Sequence, residues 1–373
     1  MLSLIGLGIQ VCQGVEAERR LAGLIYGAAI GDALGGPVEF QTRSEKKFPN
    51  LWIPLDKEVR LEWGRTLEME VYTREIHPYG PWVANAPAGT ITDDTRAKLL
   101  MVRAGLRAGG WTRVNLAKEI LHWYEDGPLS FIELSRQNME EFAYAAKWEL
   151  SDYREGKPPY RLWGGLPTMA GQMFFPVLAA GYPGDPESAY RHVYRINFLD
   201  TGMAKDFTAG LVAGLAEALR ADAAWDDVFH AMRATDPFDY ASVPWVSRRF
   251  TDWLDQTESM AMEAQGVPGR LFEILDRDLK ATTHWECWVP VAVGFACAHL
   301  ADFDPLATLN LILAYGHDTD SNAQIMAAFF GALGGPEIYP EAWRSQVDSR
   351  LRADFETTIP EILFDLRKIT ETD

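Results

Sequence analysis

The chain has 373 residues, 47% of them hydrophobic, with 35 Lys and Arg against 53 Asp and Glu and a formal net charge of −18. That length allows one large domain or two ordinary ones, with apolar residues enough for a sizeable core. The charge argues against a nucleic-acid backbone or an anionic membrane surface as the main partner, because both repel it, but leaves a basic protein substrate open. Three cysteines, Cys12, Cys287 and Cys297, are too few and too scattered for a disulfide framework or a zinc site. The most apolar run, Trp288 to Leu300, is short and contains Pro290 and His299, so the expectation is a soluble protein without a membrane span.

At the start of the chain, Leu2 to Cys12 is apolar and Val15-Glu16-Ala17 places small residues where a signal peptidase would cut, yet no Lys or Arg precedes the stretch. Residues 1–17 are therefore expected to be a leader, and residues 18–373 a single cytoplasmic domain, with export as the alternative. Gly23, Gly27, Gly31 and Gly35 then recur every four residues, which predicts a helix with one smooth face that another backbone can approach. Glycine is a poor helix former, so such a helix needs tight packing. Its stop is signalled at Gly35-Gly36-Pro37, and Glu39 follows between Val38 and Phe40, a setting that perturbs a carboxyl pKa.

From Gln41 to Gly89 the texture turns to Pro, Gly, Trp and charge, with strand-like alternation only at Leu67 to Val71. This reads as a long irregular insertion of the kind that forms lids or substrate walls, and Trp52, Trp63, Tyr79 and Trp82 would stack on a ligand or pack inward. Beyond it, apolar periodicity predicts helices over Asp94–Ala108, Val114–Glu125, Phe131–Trp148, Phe207–Leu219, Trp225–Ala234, Pro268–Lys280 and Pro290–Ala301. Between Arg161 and Gly184, the glycine-rich Leu162-Trp163-Gly164-Gly165-Leu166-Pro167-Thr168 would bring backbone N–H groups to a phosphate.

Two acidic knots stand at helix starts, Thr90-Ile91-Thr92-Asp93-Asp94-Thr95 and Gly316-His317-Asp318-Thr319-Asp320-Ser321-Asn322. One carboxylate suffices to cap a helix, and adjacent carboxylates repel unless a cation intervenes. Neither knot has a Lys or Arg among its own acidic residues. If the knots meet, Asp93, Asp94, Asp318 and Asp320 supply four negative charges that two divalent cations balance, with Thr92 and Ser321 adding neutral oxygens. An all-oxygen set favours Mg²⁺, Mn²⁺ or Ca²⁺ over Zn²⁺. Asn322 would cap the helix that follows.

Together with the block Leu21 to Phe40, the two knots resemble the motifs of the ADP-ribosylglycohydrolase family, in its order, over most of the chain from about Arg20 to Gly335. The resemblance implies a compact all-α fold of mostly orthogonal helices, with the irregular insertion on one side. It also implies hydrolysis of an N- or O-glycosidic bond that releases ADP-ribose from a modified protein side chain or small molecule. By motif match, Thr92, Asp93, Asp94, Asp318, Asp320 and Ser321 would ligate two Mg²⁺, or Mn²⁺. Glu39 and Asp93 would be the catalytic carboxylates, Asp32 would support the ligands from behind, and Gly164, Gly165, Thr168 and His317 would meet substrate. Three departures bear on the substrate. The family's Gly-Asn-Gly and nearby Met-Arg lack their Asn and Arg here, its Thr-His pair is replaced near Asn197 to Asp200, and His317 stands where it usually has Gly. Alternatives are hydrolysis of another ribosyl or glycosyl compound, or non-catalytic binding of ADP-ribose.

Overall fold

The computed structural model describes residues 2–39, 87–126, 136–154, 156–243 and 249–371. Most of the insertion expected over Gln41–Gly89 lies outside them, with Trp52, Trp63, Tyr79 and Trp82. Among the described residues the chain forms sixteen α-helices and no strand, the all-α architecture expected. They are α1 Leu2–Gly35, α2 Asp93–Gly105, α3 Arg113–Asp126, α4 Arg136–Leu150, α5 Tyr160–Gly164, α6 Ala170–Phe174, α7 Pro186–Ile196 and α8 Met203–Ala218. There follow α9 Trp225–Ala234, α10 Arg249–Ala264, α11 Pro268–Leu279, α12 Val289–Leu300, α13 Pro305–Tyr315, α14 Thr319–Gly334, α15 Glu341–Phe355 and α16 Ile359–Thr370.

The core is built on α14, whose residues are buried without a break from Thr319 to Ala332. A helix apolar all round is stable only when neighbours cover every face. Here α1, α8, α12 and α13 do so, and α1 makes the most extensive contact of any helix pair. The glycine stripe explains that contact. A Cβ added to Gly23 would lie 1.9 Å from the Gly331 carbonyl oxygen, one on Gly27 2.2 Å from that of Ala327, and one on Gly31 2.5 Å from that of Ala323. One on Gly35 would lie 2.3 Å from Asp320 Cα. Rising numbers on α1 meet falling numbers on α14, so the helices run antiparallel with their backbones touching, and the end of α1 is set against the start of α14.

The same composition corrects the expectation that no segment could span a bilayer. Gly14–Val38 is long and apolar enough by length and composition, but 83% of its window is buried inside the protein. Several helices went unread in the sequence because only a narrow face is apolar. On α15 that face is Trp343, Val347, Leu351 and Phe355, and on α10 it is Phe250, Leu254, Met260, Ala261 and Ala264.

Gly27→Val should cost about 3 kcal/mol or more, since no rotamer relieves a clash between a Cβ and backbone. Gly14→Ala, with nothing within 4 Å of the new methyl, should be neutral or gain about 0.5 kcal/mol. Chemical denaturation of the two variants checks both.

Candidate metal centre

Three chain segments converge at one point. α1 supplies Asp32, fully buried three residues before the helix ends. Its carboxylate accepts from the Thr92 backbone N–H at 3.0 Å, from the Thr92 hydroxyl at 2.5 Å and from the Thr95 N–H at 3.0 Å, so it caps α2 from outside that helix. The Thr319 hydroxyl donates to the Gly35 carbonyl at 2.8 Å and fastens the first turn of α14 to the last turn of α1. Between the two helix starts, Ser321 Oγ donates to Asp94 Oδ2 at 2.9 Å, and Thr92 Oγ1 lies 2.9 Å from Asp320 Oδ2. The Thr92 hydroxyl thus stands between Asp32 and Asp320, with one proton to share between two carboxylates.

Glu39 enters from the 3₁₀ turn Gly36–Val38 that closes α1, and is buried beside the knots. Carboxylate oxygens of Glu39, Asp318 and Asp320 all lie within 4.8 Å of one another, and so do those of Asp93, Asp94 and Asp320. Asp320 belongs to both groups. All six expected ligands and Glu39 therefore come together, with Asp32 behind them as expected. Asn322 does not cap α14, because Asp318 holds the cap position and Asn322 is buried a turn further on.

Burial governs the electrostatics. It pushes the carboxyls of Glu39, Asp94 and Asp320 well above the ordinary range, and neighbouring carboxylates push them further. Burial likewise raises Asp93 and Asp318, each to about 6. Two cations that the motif reading passed over oppose this. Arg96 and Lys98, both buried on α2, donate to the carbonyls of Thr92 at 2.7 Å and Asp94 at 3.0 Å. Their spacing of four from Thr92 and Asp94 was the available signal. Six carboxyls, the four of the knots with Glu39 and Asp32, thus stand against two buried basic groups, an excess of negative charge that divalent ions would offset.

The donor set fits such ions. Every donor is a carboxylate or hydroxyl oxygen, the preference of Mg²⁺ and Mn²⁺. Asp94 Oδ1 is buried without a hydrogen-bond partner among the described residues.

The centre forms the floor of a cleft. Its walls are Phe142, Arg161, Thr168, Met169, Ala170, Met173 and Trp285, with Glu39, Asp93, Asp94, Asp318, Asp320 and Ser321 below. Thr168 thus lies where it was expected. Gly164 and Gly165 do not: both are exposed and outside the lining, and Gly165 ends α5 in the left-handed region at φ 65° with its N–H bonded to the Arg161 carbonyl. The expected phosphate cradle is spent on a helix stop. His317 is also outside the lining. It sits at φ 63°, a region that favours glycine, and stacks on His284 at 3.6 Å between centroids. Glu286 accepts from the N–H groups of Thr282 and Thr283 and holds its own turn.

The wall around Thr168 is pinned from two sides. Met169 N–H donates to Trp285 O at 3.0 Å and Cys287 N–H to Pro167 O at 2.8 Å. Buried Asp200 accepts from Gly171 N at 2.9 Å, from Asn197 Nδ2 at 2.6 Å and from Thr208 Oγ1 at 2.6 Å. Phe142, Arg161 and Trp285 were missed because each comes from a different element and none belongs to a motif.

Fold and floor together define an all-α protein with a buried, oxygen-only acidic centre open to one cleft. A family model described as ADP-ribosylglycohydrolase matches residues 14–371, and the chain belongs to that family, which supports a hydrolase activity. No curated protein matches the sequence. A solved structure titled "ADP-ribosylglycohydrolase-related protein complex" is similar in fold, with a TM-score of 0.57 and 19% identity over 95% of this chain and 99% of that one.

Asp320→Asn should abolish Mn²⁺ binding at both positions, whereas Asp93→Asn should leave one ion, as counted by calorimetric titration. The pH dependence has a definite sign. Asp93 and Asp318 hold protons in the folded metal-free chain up to about 6, but release them near 3.8 when unfolded. The native state thus binds more protons across that window, and metal-free stability should fall as pH rises from about 4 to above 6. Thermal melts should show the slope flattened in Asp93→Asn and offset by saturating Mg²⁺.

Proposed function

We propose that this protein is a metal-dependent hydrolase that cleaves the glycosidic bond of an ADP-ribosyl group, releasing ADP-ribose from a modified protein side chain or small molecule. The observation that carries the reading is the pair of carboxylate triads on one cleft floor, Glu39 with Asp318 and Asp320, and Asp93 with Asp94 and the same Asp320. Asp93, Asp94, Asp318 and Asp320, with Thr92 and Ser321, would hold two Mg²⁺, or Mn²⁺ in their place. When bound, such ions polarise the ribose hydroxyls and the attacking water.

The chain's own groups do the rest. Cleavage at the anomeric carbon passes through a cation-like ribose, which the negative floor stabilises. Glu39, whose carboxyl burial raises above the ordinary range, would be the acid that protonates the departing nitrogen or oxygen, its carboxylate then taking a proton from the water that bonds to the same carbon. Asp93, half-buried where the others are buried, orients that water at the cleft side of the centre. The buried Asp32 holds Thr92 in place through its three bonds.

A second reading, hydrolysis of another ribosyl compound, is favoured by one observation: Gly164 and Gly165 lie outside the cleft. One assay separates the two. ADP-ribosyl-arginine and ADP-ribosyl-serine are incubated with Mg²⁺, Mn²⁺ or chelator, and released ADP-ribose is measured. Release should require metal and fall by about 10²–10⁴-fold in Glu39→Gln. It should be lost in Asp93→Ala and Asp320→Ala. No release from either substrate, with cleavage of a simple nucleoside, would move the assignment to the second reading.

A further inference from the structure

We infer that His284 and His317 are positioning residues: their stacked rings tie the Trp285 wall of the cleft to the turn that opens the metal floor, and so set how tightly the cleft holds its substrate. The inference deepens the reading of the cleft as a hydrolase site, and rests on that reading for the kinetic part of its test alone.

Neither histidine lines the cleft, but each is the immediate neighbour of a residue that does, His284 of Trp285 and His317 of Asp318. The rings lie 3.6 Å apart between centroids with 12° between their planes, a face-to-face contact. Both backbones are left-handed, at φ 66° for His284 and 63° for His317. Glycine adopts that region without strain, and a residue with a Cβ persists there only where its surroundings hold it. Each of these two rings supplies part of the surroundings that hold the other.

The tie has a firm end and a looser one. On the floor side, the His317 ring lies 5.2 Å from that of Tyr315, which is buried, packs on Phe272 and donates its hydroxyl to Asp276 on α11 at 3.1 Å. On the wall side, Glu286 and Cys287 are buried, whereas the residues from Lys280 to Trp285 are half-buried or exposed. Glu286 accepts from the N–H groups of Thr282 and Thr283, so this turn is stiff within itself and a displacement at His284 reaches Trp285. The bond from Met169 N–H to Trp285 O joins two pieces of wall to each other. The histidine stack joins wall to floor. Its loss lets the less buried half of the turn move, leaves the ligand oxygens in place, and weakens the hold on substrate more than the chemical step.

The test uses the full-length, Mg²⁺-loaded protein labelled with 5-fluorotryptophan. Of the resonances of its 13 tryptophans, the one missing in Trp285→Phe is that of Trp285. In His317→Gly and His317→Asn, both suited to a left-handed backbone, that resonance should shift or broaden while those distant from the turn stay in place. His317→Phe or His317→Tyr, which keep a ring over His284, should restore it. Mg²⁺ stoichiometry should match wild type throughout. On whichever ADP-ribosyl substrate is cleaved, KM should rise about three- to tenfold in the Gly and Asn variants, with kcat within about twofold of wild type. Joining His284→Gly to His317→Gly should add nothing further, since one contact is lost in either. The inference is overturned if His317→Gly and His317→Asn leave the Trp285 resonance unmoved, if neither ring variant restores it, if the Gly or Asn variant binds fewer ions, or if kcat falls while KM holds. A Trp285 resonance moved by His317→Gly and restored by a ring, in a protein that cleaves neither ADP-ribosyl substrate, would retain this inference and reject the proposed activity.

Discussion

The contact on which the centre depends carries no charge. Four glycines on α1 let its backbone lie against that of α14, and the closest approaches run from Gly23 at Gly331 to Gly35 at Asp320. Dispersion between two backbones is weak for each atom pair and large in sum, and it falls steeply with separation. A methyl at any of these positions must move the helices apart. Because the last contact is with Asp320 itself, the register of a purely steric interface fixes where the shared carboxylate stands relative to Asp32 and Glu39. Chemistry at the floor is thereby tied to close packing several helical turns away along both helices.

That rigidity has a purpose in electrostatic terms. Carboxylates crowded in a dry site tend to separate, protonate or attract counter-ions, and a soft scaffold would let them separate. Here Thr319 fastens α14 to α1, Asp32 fastens α1 to α2, and Ser321 joins α14 to Asp94. Separation is blocked, so protons or divalent ions remain as the relief. The N-termini of α2 and α14, both directed at the cluster, add the positive ends of two helix dipoles. Arg96 and Lys98 stand behind the cluster, and the carboxyls outnumber them.

The floor of the site was legible because its information is local. A helix start with two carboxylates and a hydroxyl can be recognised within six residues, and a glycine every four residues states that a backbone will come close. The meeting of two knots separated by more than two hundred residues was conditional on charge and was carried by the resemblance to the family's motifs, since Arg96 and Lys98 stand within a turn of the first knot. The walls were not legible. Phe142, Arg161, Met169 and Trp285 stand on four separate segments, and although Arg161 and Met169 flank the glycine-rich stretch, only packing brings the four together. Where a local pattern misled, a competing local use had claimed it: Gly165 stops a helix, and the amide of Asn322 is buried inside one.

His317 shows how the two levels interact. Its backbone is left-handed, which a glycine adopts without strain and a histidine adopts at a cost of about 1 kcal/mol or more. The side chain offsets part of that cost by stacking on His284 and lying against Tyr315, at 5.2 Å between centroids. His284 is itself left-handed, and the next residue, Trp285, lines the cleft and accepts the Met169 N–H. A substitution at the rim of the metal motif thus leaves every ligand oxygen in place while it braces the segment that forms the opposite wall. The departures from the family pattern spare the oxygens that would hold the ions, and they fall behind or beside the cleft: Gly164, Gly165 and His317 lie outside its lining, and Asn197 and Asp200 brace its wall through Gly171 and Thr208.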